Sequence, residues 1–277
     1  MTNSSTNFDK LTIANDFLFK HVMLRPRLCK HLLEEILQQP IAEISYVEME
    51  KSIDPYYDSR GIRLDILLKD SNNTHYNLEM QVRNLLTKQT KDPIIAKRTR
   101  YYQSVLDVNM LQQGKDFDDL PPSFIIFICL YDAFKDKQRI YTFKKRCLQN
   151  LELELKDEAT VMVLNTTGTK GTISKDLQSF YDYINNNIVN SSFTKHIAET
   201  IVEIKKDKKV RLAYMTYETH LRDAQYEAEA KGKFEATLIC LKNLMLNSKC
   251  SIDKAMDLLN TPVEERQLYK ELLAKGM

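Results

Sequence analysis

The sequence predicts an α/β fold with a mixed central sheet flanked by helices, followed by a helical C-terminal region. Residues 63–81 alternate polar and apolar side chains on both sides of a polar turn, which predicts a β-hairpin. The apolar run FIIFICL at 124–130 is typical of a strand buried on both faces, usually in a parallel position. A helical segment joins the hairpin to this run as a βαβ crossover, and beyond Lys170 the pattern is almost entirely helical.

The hairpin pattern also predicts its own register. A turn centred on Asn72 places Ile66 against Leu78 and Leu64 against Met80, so that the apolar faces of the two strands agree. A shift of one residue would mix the two faces, which favours this register over its neighbours.

The other face of the hairpin carries the candidate chemistry. The same register sets Asp65 opposite Glu79 and Arg63 opposite Gln81. Directly opposed side chains have Cβ atoms roughly 4.5–5.5 Å apart, and two carboxylates at that separation repel unless a cation or a proton lies between them. Two interpretations stand: a Mg²⁺ site, since this ion prefers oxygen ligands, or solvated side chains on the wet face of a two-faced sheet.

Composition and charge narrow the class of protein. A chain of 277 residues holds one large domain, or one domain with a small appendage. The formal charge of +2 gives no general argument for nucleic-acid binding. The longest apolar run is too short to cross a bilayer, and no apolar signal segment opens the chain, so we expect a cytoplasmic protein without membrane contact. The five cysteines are scattered without zinc-binding spacing, which fits a reducing compartment.

Two helices and a strand are predicted before the hairpin. Apolar residues at helical spacing indicate a first helix from Asn15, with Asn15 or Asp16 as its cap. A second amphipathic helix lies between Pro26 and Pro40, and residues 44–49 favour a strand.

A basic helix is predicted after the hairpin. Asp92-Pro93 is a favourable start, with Asp as N-cap and Pro at the first helical position, and Gly114 ends the helix after about Gln113. Its basic residues either hold a phosphate backbone or form an ordinary solvated face whose long side chains cover the core. The candidate substrate-binding residues are Arg63 of the hairpin and four residues of this helix, Lys97, Arg98, Arg100 and Tyr102. Paired tyrosines, however, more often pack in a core.

Further strands complete the predicted α/β core, at 140–147 as a strand or extended segment and at 159–164. We therefore expect a first domain at 1–170 and a helical region at 171–277.

The helical region is expected to pack or oligomerise. Its predicted helices cover 173–184 and 193–245, the latter dense in charge with Gly232 as the strongest breaker. Short helices at 252–256 and 263–273 make a helix-turn-helix-like end, which more often packs or dimerises than binds DNA.

Specific segments resemble a known family. In chain order they are NDFLFKHVM at 15–23, IRLDILLKD at 62–70, YNLEMQV at 76–82 and KRTRYYQSVL at 97–106. They are similar to the DFxFKxxF, RxDxxxxD, xxEMQ and KRxxYYxSxL segments of the recombination-promoting nuclease and transposase family, within the PD-(D/E)xK nuclease superfamily. The C-terminal half resembles the family more weakly.

The resemblance implies a restriction-endonuclease-like core and a Mg²⁺-dependent (or Mn²⁺-dependent) endonuclease that hydrolyses DNA. It assigns Asp65 and Glu79, with the carbonyl of Met80, to the metal, and gives Gln81 the position where the superfamily usually has lysine. Because Gln81 carries no charge, a basic residue from 97–100 is expected to supply it. Asp16 is a further candidate, since some relatives use an acid from the first helix.

The resemblance links the protein to recombination, mobile elements or defence against foreign DNA, with DNA as partner. Separately, the long C-terminal helices lead us to expect a dimer formed through them. An alternative from another class is a catalytically inactive nuclease fold that serves as a DNA-binding or protein-interaction module. Metal binding separates the two, because an inactive module has no need of a metal.

Overall fold

The computed structural model describes residues 4–53, 62–83, 93–111 and 113–274. The chain forms two compact units, Met1–Arg211 and Leu212–Met277, and each is described separately. The division after Lys170 expected from the sequence stays a prediction; by packing, the chain divides between Arg211 and Leu212.

A mixed sheet lies at the centre of the first unit. The strands of the described chain are β1 (Ile44–Ile53), β2 (Ile62–Asp70), β3 (His75–Gln81), β4 (Ser123–Cys129), β5 (Ile140–Phe143), β6 (Arg146–Cys147), β7 (Asn150–Glu154) and β8 (Ala159–Asn165). In the described residues, six of these form one sheet in the order β1-β2-β3-β4-β8-β5, while β6 and β7 form a separate ribbon. Strands β3, β4 and β8 are parallel, and the other neighbours are antiparallel. The predicted mixed sheet is confirmed.

The hairpin of β2 and β3 has the predicted register. Ile66 pairs with Leu78 and Lys69 with His75, so the turn is centred on Asn72. Strand β3 is buried along most of its length because it lies between β2 and β4 in the middle of the sheet. The residues at the end of β3 are therefore placed deep in the first unit.

Two apolar residues of the hairpin depart from the prediction. Leu64 is fully buried, but it belongs to the cluster that includes Ile53 and Leu67 rather than to the cluster of Ile66. Val82, which continues the two-residue spacing of the apolar Leu78 and Met80, lies beyond the end of the strand and is exposed. The simple two-residue alternation therefore fails near Asp65 and after Gln81.

Helices cover both faces of the sheet. Those of the first unit are α1 (Ser4–Asp9), α2 (Asp16–Met23), α3 (Pro26–Leu37), α4 (Ile95–Met110), α5 (Lys175–Asn186) and α6 (Ser192–Lys206). Residues of α2, α3, α5 and α6 share one apolar cluster with one face of the central strands, and residues of α4 share a second cluster with the other face. The helices α5 and α6, which follow Lys170, thus contribute to the core of the first unit.

The ends of two helices refine the sequence predictions. Asn15, not Asp16, caps α2, because its side-chain oxygen accepts a hydrogen bond from the Leu18 amide at 3.2 Å. Helix α4 begins at Ile95 and ends at Met110, so it is shorter at both ends than predicted. Asp92, the predicted N-cap, lies outside the described residues.

The remaining helices are α7 (Lys208–Ser248), α8 (Ile252–Leu258) and α9 (Val263–Ala274). The break in the predicted 193–245 helix falls at Asp207, whose side chain accepts a hydrogen bond from the Lys209 amide at 2.7 Å and so caps α7. Gly232 lies inside α7 and does not break it. The second unit packs around Leu241 and Tyr269. In the part of the chain that the structure describes, no helix is long and apolar enough to cross a membrane.

Candidate active site

Asp65 and Glu79 lie where β2 and β3 separate. The regular pairing of the two strands reaches Ile66 and Leu78. Beyond that point the Asp65 amide donates to Glu79 Oε1 at 2.9 Å, and the Met80 amide donates to Asp65 Oδ2 at 3.1 Å. Each carboxylate therefore takes the place of a backbone acceptor and lies in the gap between the strands.

Both carboxylates are largely removed from solvent. The Glu79 side chain is 2% exposed and the Asp65 side chain 15%. Burial, reinforced by the charge of Asp65, raises the pKa of Glu79 to about 8. Burial also raises the pKa of Asp65, although the nearby Lys20 acts in the opposite direction. The interpretation of the pair as solvated side chains on a wet sheet face is wrong, because these acids are buried side by side.

Arg98 enters the site from α4. Its Nη1 donates to Gln81 Oε1 at 2.8 Å, and its Nη2 lies 3.4 Å from Glu79 Oε2. The same Nη2 donates to the Tyr102 hydroxyl at 2.8 Å, and the guanidinium lies 5.2 Å from the ring centroids of Tyr102 and Phe127. Arg98 is thus held against the ends of Glu79 and Gln81.

The other predicted substrate-binding residues have different surroundings. Lys97 and Arg100 are exposed to solvent. Tyr102 is buried, and its hydroxyl accepts a hydrogen bond from Arg98, so it supports the arginine. Arg63 lies in β2 opposite Ser52 of β1, and its side chain is outside the described structure. Of the basic candidates with described side chains, Arg98 alone reaches the acids.

Sequence reasoning missed Lys20. This lysine of α2 is 3% exposed, and its Nζ lies 3.0 Å from Asp65 Oδ1 and 3.3 Å from Asp16 Oδ2. Asp16 therefore approaches the site through Lys20 instead of capping its helix. A signal was present in NDFLFKHVM, where a lysine stands among apolar residues of the buried helix face, four residues after an acid.

The oxygen donors at this junction fit a hard divalent cation. A strand residue directs its N–H and its C=O toward the same neighbouring strand, so the Met80 carbonyl faces the side of β2 on which Asp65 lies. Two carboxylates and one carbonyl are ligands that Mg²⁺ accepts, with waters and phosphate oxygens completing its shell. The buried repulsion between the acids is relieved when such an ion binds.

A family model described as PD-(D/E)XK nuclease family transposase matches residues 13–231. The chain belongs to this family. The resemblance and the fold class inferred from the sequence are thereby confirmed. Neither the curated proteins nor the solved structures include a match to the chain.

The part of the chain that matches the PD-(D/E)XK family contains every residue of the site, from Asp16 and Lys20 to Arg98 and Tyr102. The charged groups come from three parts of the chain: helix α2, the hairpin, and helix α4 of the βαβ crossover. Gln81, which carries no charge, accepts a hydrogen bond from Arg98, and the acids have two cationic neighbours, Lys20 at Asp65 and Arg98 at Glu79.

A second cluster of possible ligands lies on α3 and α5. His31 Nε2 is 3.0 Å from Asp176 Oδ2 and 3.9 Å from Glu35 Oε1, and all three side chains are partly exposed. The His31 ring also lies against the Phe193 ring, with the centroids 4.3 Å apart. These contacts explain the cluster as polar and aromatic packing between helices. The cluster includes neither Asp65 nor Glu79.

Proposed function

We propose that the protein is a metal-dependent endonuclease that hydrolyses phosphodiester bonds of DNA. The observation that carries the proposal is the pair of buried carboxylates, Asp65 and Glu79, in the gap between the hairpin strands of a PD-(D/E)XK fold. Two neighbouring buried acids destabilise the folded protein unless a cation offsets their charge. A fold that retains them at the end of a central strand is well suited to hold a metal there.

Asp65, Glu79 and the Met80 carbonyl would hold Mg²⁺ or Mn²⁺. When bound, such an ion lowers the pKa of a coordinated water and polarises the scissile phosphate. The side chains hold their own positions without it: Asp65 is anchored by the Met80 amide, and Glu79 by the Asp65 amide and Arg98.

Gln81 would orient the attacking water. Its Oε1 accepts a hydrogen bond from Arg98, which fixes the carboxamide next to Glu79. A fixed carboxamide can hold a water in position, and correct placement of reacting groups contributes strongly to rate. Arg98 thereby acts as a positioning residue for both Glu79 and Gln81.

The exposed basic residues would bind the DNA backbone at the margin of the site. Lys97 and Arg100 project from α4 into solvent, and Arg63 lies on the strand that carries Asp65. Contacts with phosphates increase affinity without reading sequence, and they weaken as salt concentration rises. Roles in recombination, mobile elements or defence against foreign DNA are consistent with this activity.

A nuclease assay tests the proposal. Supercoiled, linear and single-stranded DNA are incubated with wild-type protein, Asp65→Ala and Glu79→Ala in Mg²⁺ or Mn²⁺. Asp136→Ala serves as a control, since Asp136 is an exposed acid that pairs with Lys170. We expect cleavage by wild type and by the control only. Full activity of Asp65→Ala would refute the site.

One observation favours the alternative of an inactive nuclease fold. Lys20 and Arg98 already offset the charge of Asp65 and Glu79, so the acids have cationic partners without a metal. Thermal melting with added Mn²⁺ separates the two functions. An enzyme is stabilised by the ion, and the stabilisation disappears in Glu79→Ala; an inactive module melts at the same temperature with and without Mn²⁺. Dimerisation through the C-terminal helices and a cytoplasmic location stay predictions.

A further inference from the structure

We propose that Lys20 provides the positive charge that the active site lacks at Gln81, so that the charge comes from helix α2 instead of strand β3. The inference rests on the proposed nuclease function and adds a residue to the same site. In this role, the ammonium group of Lys20 partly offsets the negative charge of Asp65 and of a phosphate bound beside Asp65.

The position of the ammonium group supports this role. Lys20 Nζ lies 3.0 Å from Asp65 Oδ1, the oxygen of that carboxylate that does not accept the Met80 amide. Asp16 Oδ2 lies 3.3 Å from the same nitrogen. The ammonium group is thus in contact with Asp65, a proposed metal ligand, and with a second carboxylate.

Lys20 and Arg98 serve different acids. Arg98 contacts Glu79 and Gln81, whereas Lys20 contacts Asp65. A guanidinium fixed by Tyr102 and two site residues is suited to orienting them. An ammonium is a compact point charge on a flexible stem, which resembles the group that the superfamily carries on the strand.

The burial of Lys20 needs a reason beyond folding. Among the described residues it is the one buried lysine, and it shares α2 with the buried Phe19, Val22 and Met23. Replacing a buried ion pair as a whole by apolar side chains is often neutral or stabilising, whereas removing one partner alone leaves the other charge buried and unpaired. A lysine at this position is explained if its charge acts on Asp65.

Two opposite effects of Lys20→Met follow from this role. The variant loses a cation near the phosphate, so kcat should fall by about 10²- to 10³-fold. The variant also loses the cation that competes for Asp65 Oδ1, so the affinity for Mn²⁺ should rise by about tenfold. A merely structural loss would weaken both properties.

The experiment removes the lysine from α2 and introduces one on β3 at position 81. Wild type, Lys20→Met, Gln81→Lys and the double variant are compared for kcat on supercoiled DNA and for Mn²⁺ affinity by calorimetry. Lys30→Met is the control, since Lys30 lies on the next helix and pairs with Glu43 at 2.7 Å without contacting the site. We expect the double variant to cleave at least about tenfold faster than Lys20→Met, and the control to match wild type.

Several results would overturn the inference. One is wild-type kcat in Lys20→Met. Another is a folded, Mn²⁺-binding double variant that is no faster than Lys20→Met. If Lys20→Met fails to fold, Lys20→Gln replaces it, because glutamine keeps a hydrogen-bond donor for Asp65 without a charge. If wild type cleaves no DNA, the proposed function is wrong, and unchanged Mn²⁺ affinity in Lys20→Met would then overturn the role of Lys20 separately.

Discussion

Protonation of the Glu79 carboxyl should affect the stability of the first unit. Its carboxyl is buried beside Asp65, and both burial and the neighbouring charge favour the protonated form. The folded protein therefore binds this proton more tightly than the unfolded chain does. Stability gained in this way is complete below the unfolded pKa, near 4.5, and is lost as the pH rises through the folded pKa of about 8.

We expect the metal-free protein to lose stability between pH 5 and pH 8, by up to about 1.4 kcal/mol per pH unit. Glu79→Gln removes the titrating group and should flatten this dependence. Urea unfolding in the presence of a chelator measures the free energy of unfolding at each pH. Glu152→Gln, at an exposed carboxyl, is the control. An equal slope in wild type and Glu79→Gln would contradict the expectation.

Arg98 and Arg100 lie two residues apart on α4, and their replacement should change different kinetic constants. Arg98→Met releases Gln81 and Glu79, so kcat should fall by about 10²-fold. Arg100 is exposed, so Arg100→Met should raise KM and reduce the salt dependence of DNA binding while kcat stays unchanged. Steady-state kinetics at several salt concentrations tests both, and a fall in kcat for Arg100→Met alone would reverse the assignment.

At the scale of the element, the β2–β3 turn depends on one buried acid. Asp70 Oδ1 accepts hydrogen bonds from the Asn72 and Thr74 amides, each at 2.9 Å, and Asp70 Oδ2 accepts one from the Tyr76 hydroxyl at 3.0 Å. Asp70, the second acid of the RxDxxxxD segment, therefore stabilises the turn and is not part of the proposed metal site.

Asp70→Ala should lower the free energy of unfolding by about 1–3 kcal/mol, because it removes the acceptor of the buried Tyr76 hydroxyl and of two partly buried amides. Tyr76→Phe removes one of the three hydrogen bonds and should cost less. Urea melts give both values, and Mn²⁺ affinity measured under folding conditions should stay close to wild type. A larger loss in Tyr76→Phe than in Asp70→Ala would show that the turn is held by other contacts.

The elements that the sequence predicted well are those with local signals. The hairpin register followed from alternation around Asn72, and β4 from its continuous apolar run. Local signals failed where distant contacts decide the outcome. Leu64 changes cluster because β2 and β3 separate at Asp65, and Lys20 reaches the site only because α2 packs against the sheet. The spacing in NDFLFKHVM marks Lys20 as a lysine on a buried helix face, but it does not show that Asp65 is its partner.

At the scale of the molecule, the candidate site lies in one of the two units, and the other unit has a buried apolar cluster of its own. The site residues with described side chains all lie in Met1–Arg211, whereas Leu241 and Tyr269 belong to the core of Leu212–Met277. The sequence predicted a helical C-terminal region correctly. The boundary after Lys170 stays a prediction; helices α5 and α6, which follow it, share an apolar cluster with the central sheet, and composition does not show that packing.

Leu241→Ala should destabilise the second unit by about 2–5 kcal/mol, since the leucine is fully buried. The affinity of the first unit for Mn²⁺ should not change. Denaturation monitored by circular dichroism reports the first quantity, and calorimetric titration reports the second. Weaker Mn²⁺ binding in this variant would mean that the second unit supports the site.

The gap between β2 and β3 would make two backbone amides reporters of an ion bound at the proposed metal site. The amides of Asp65 and Met80 are held by carboxylates, while their neighbours in β2 and β3 are held by the regular ladder. An ion keeps both carboxylates ionised, and hydrogen bonds to a charged acceptor are stronger than those to a neutral one. Deuterium uptake at these two amides should therefore slow when Mg²⁺ is added, while uptake at Leu67 and Leu68 stays constant. Occupancy can then be followed without DNA and without turnover.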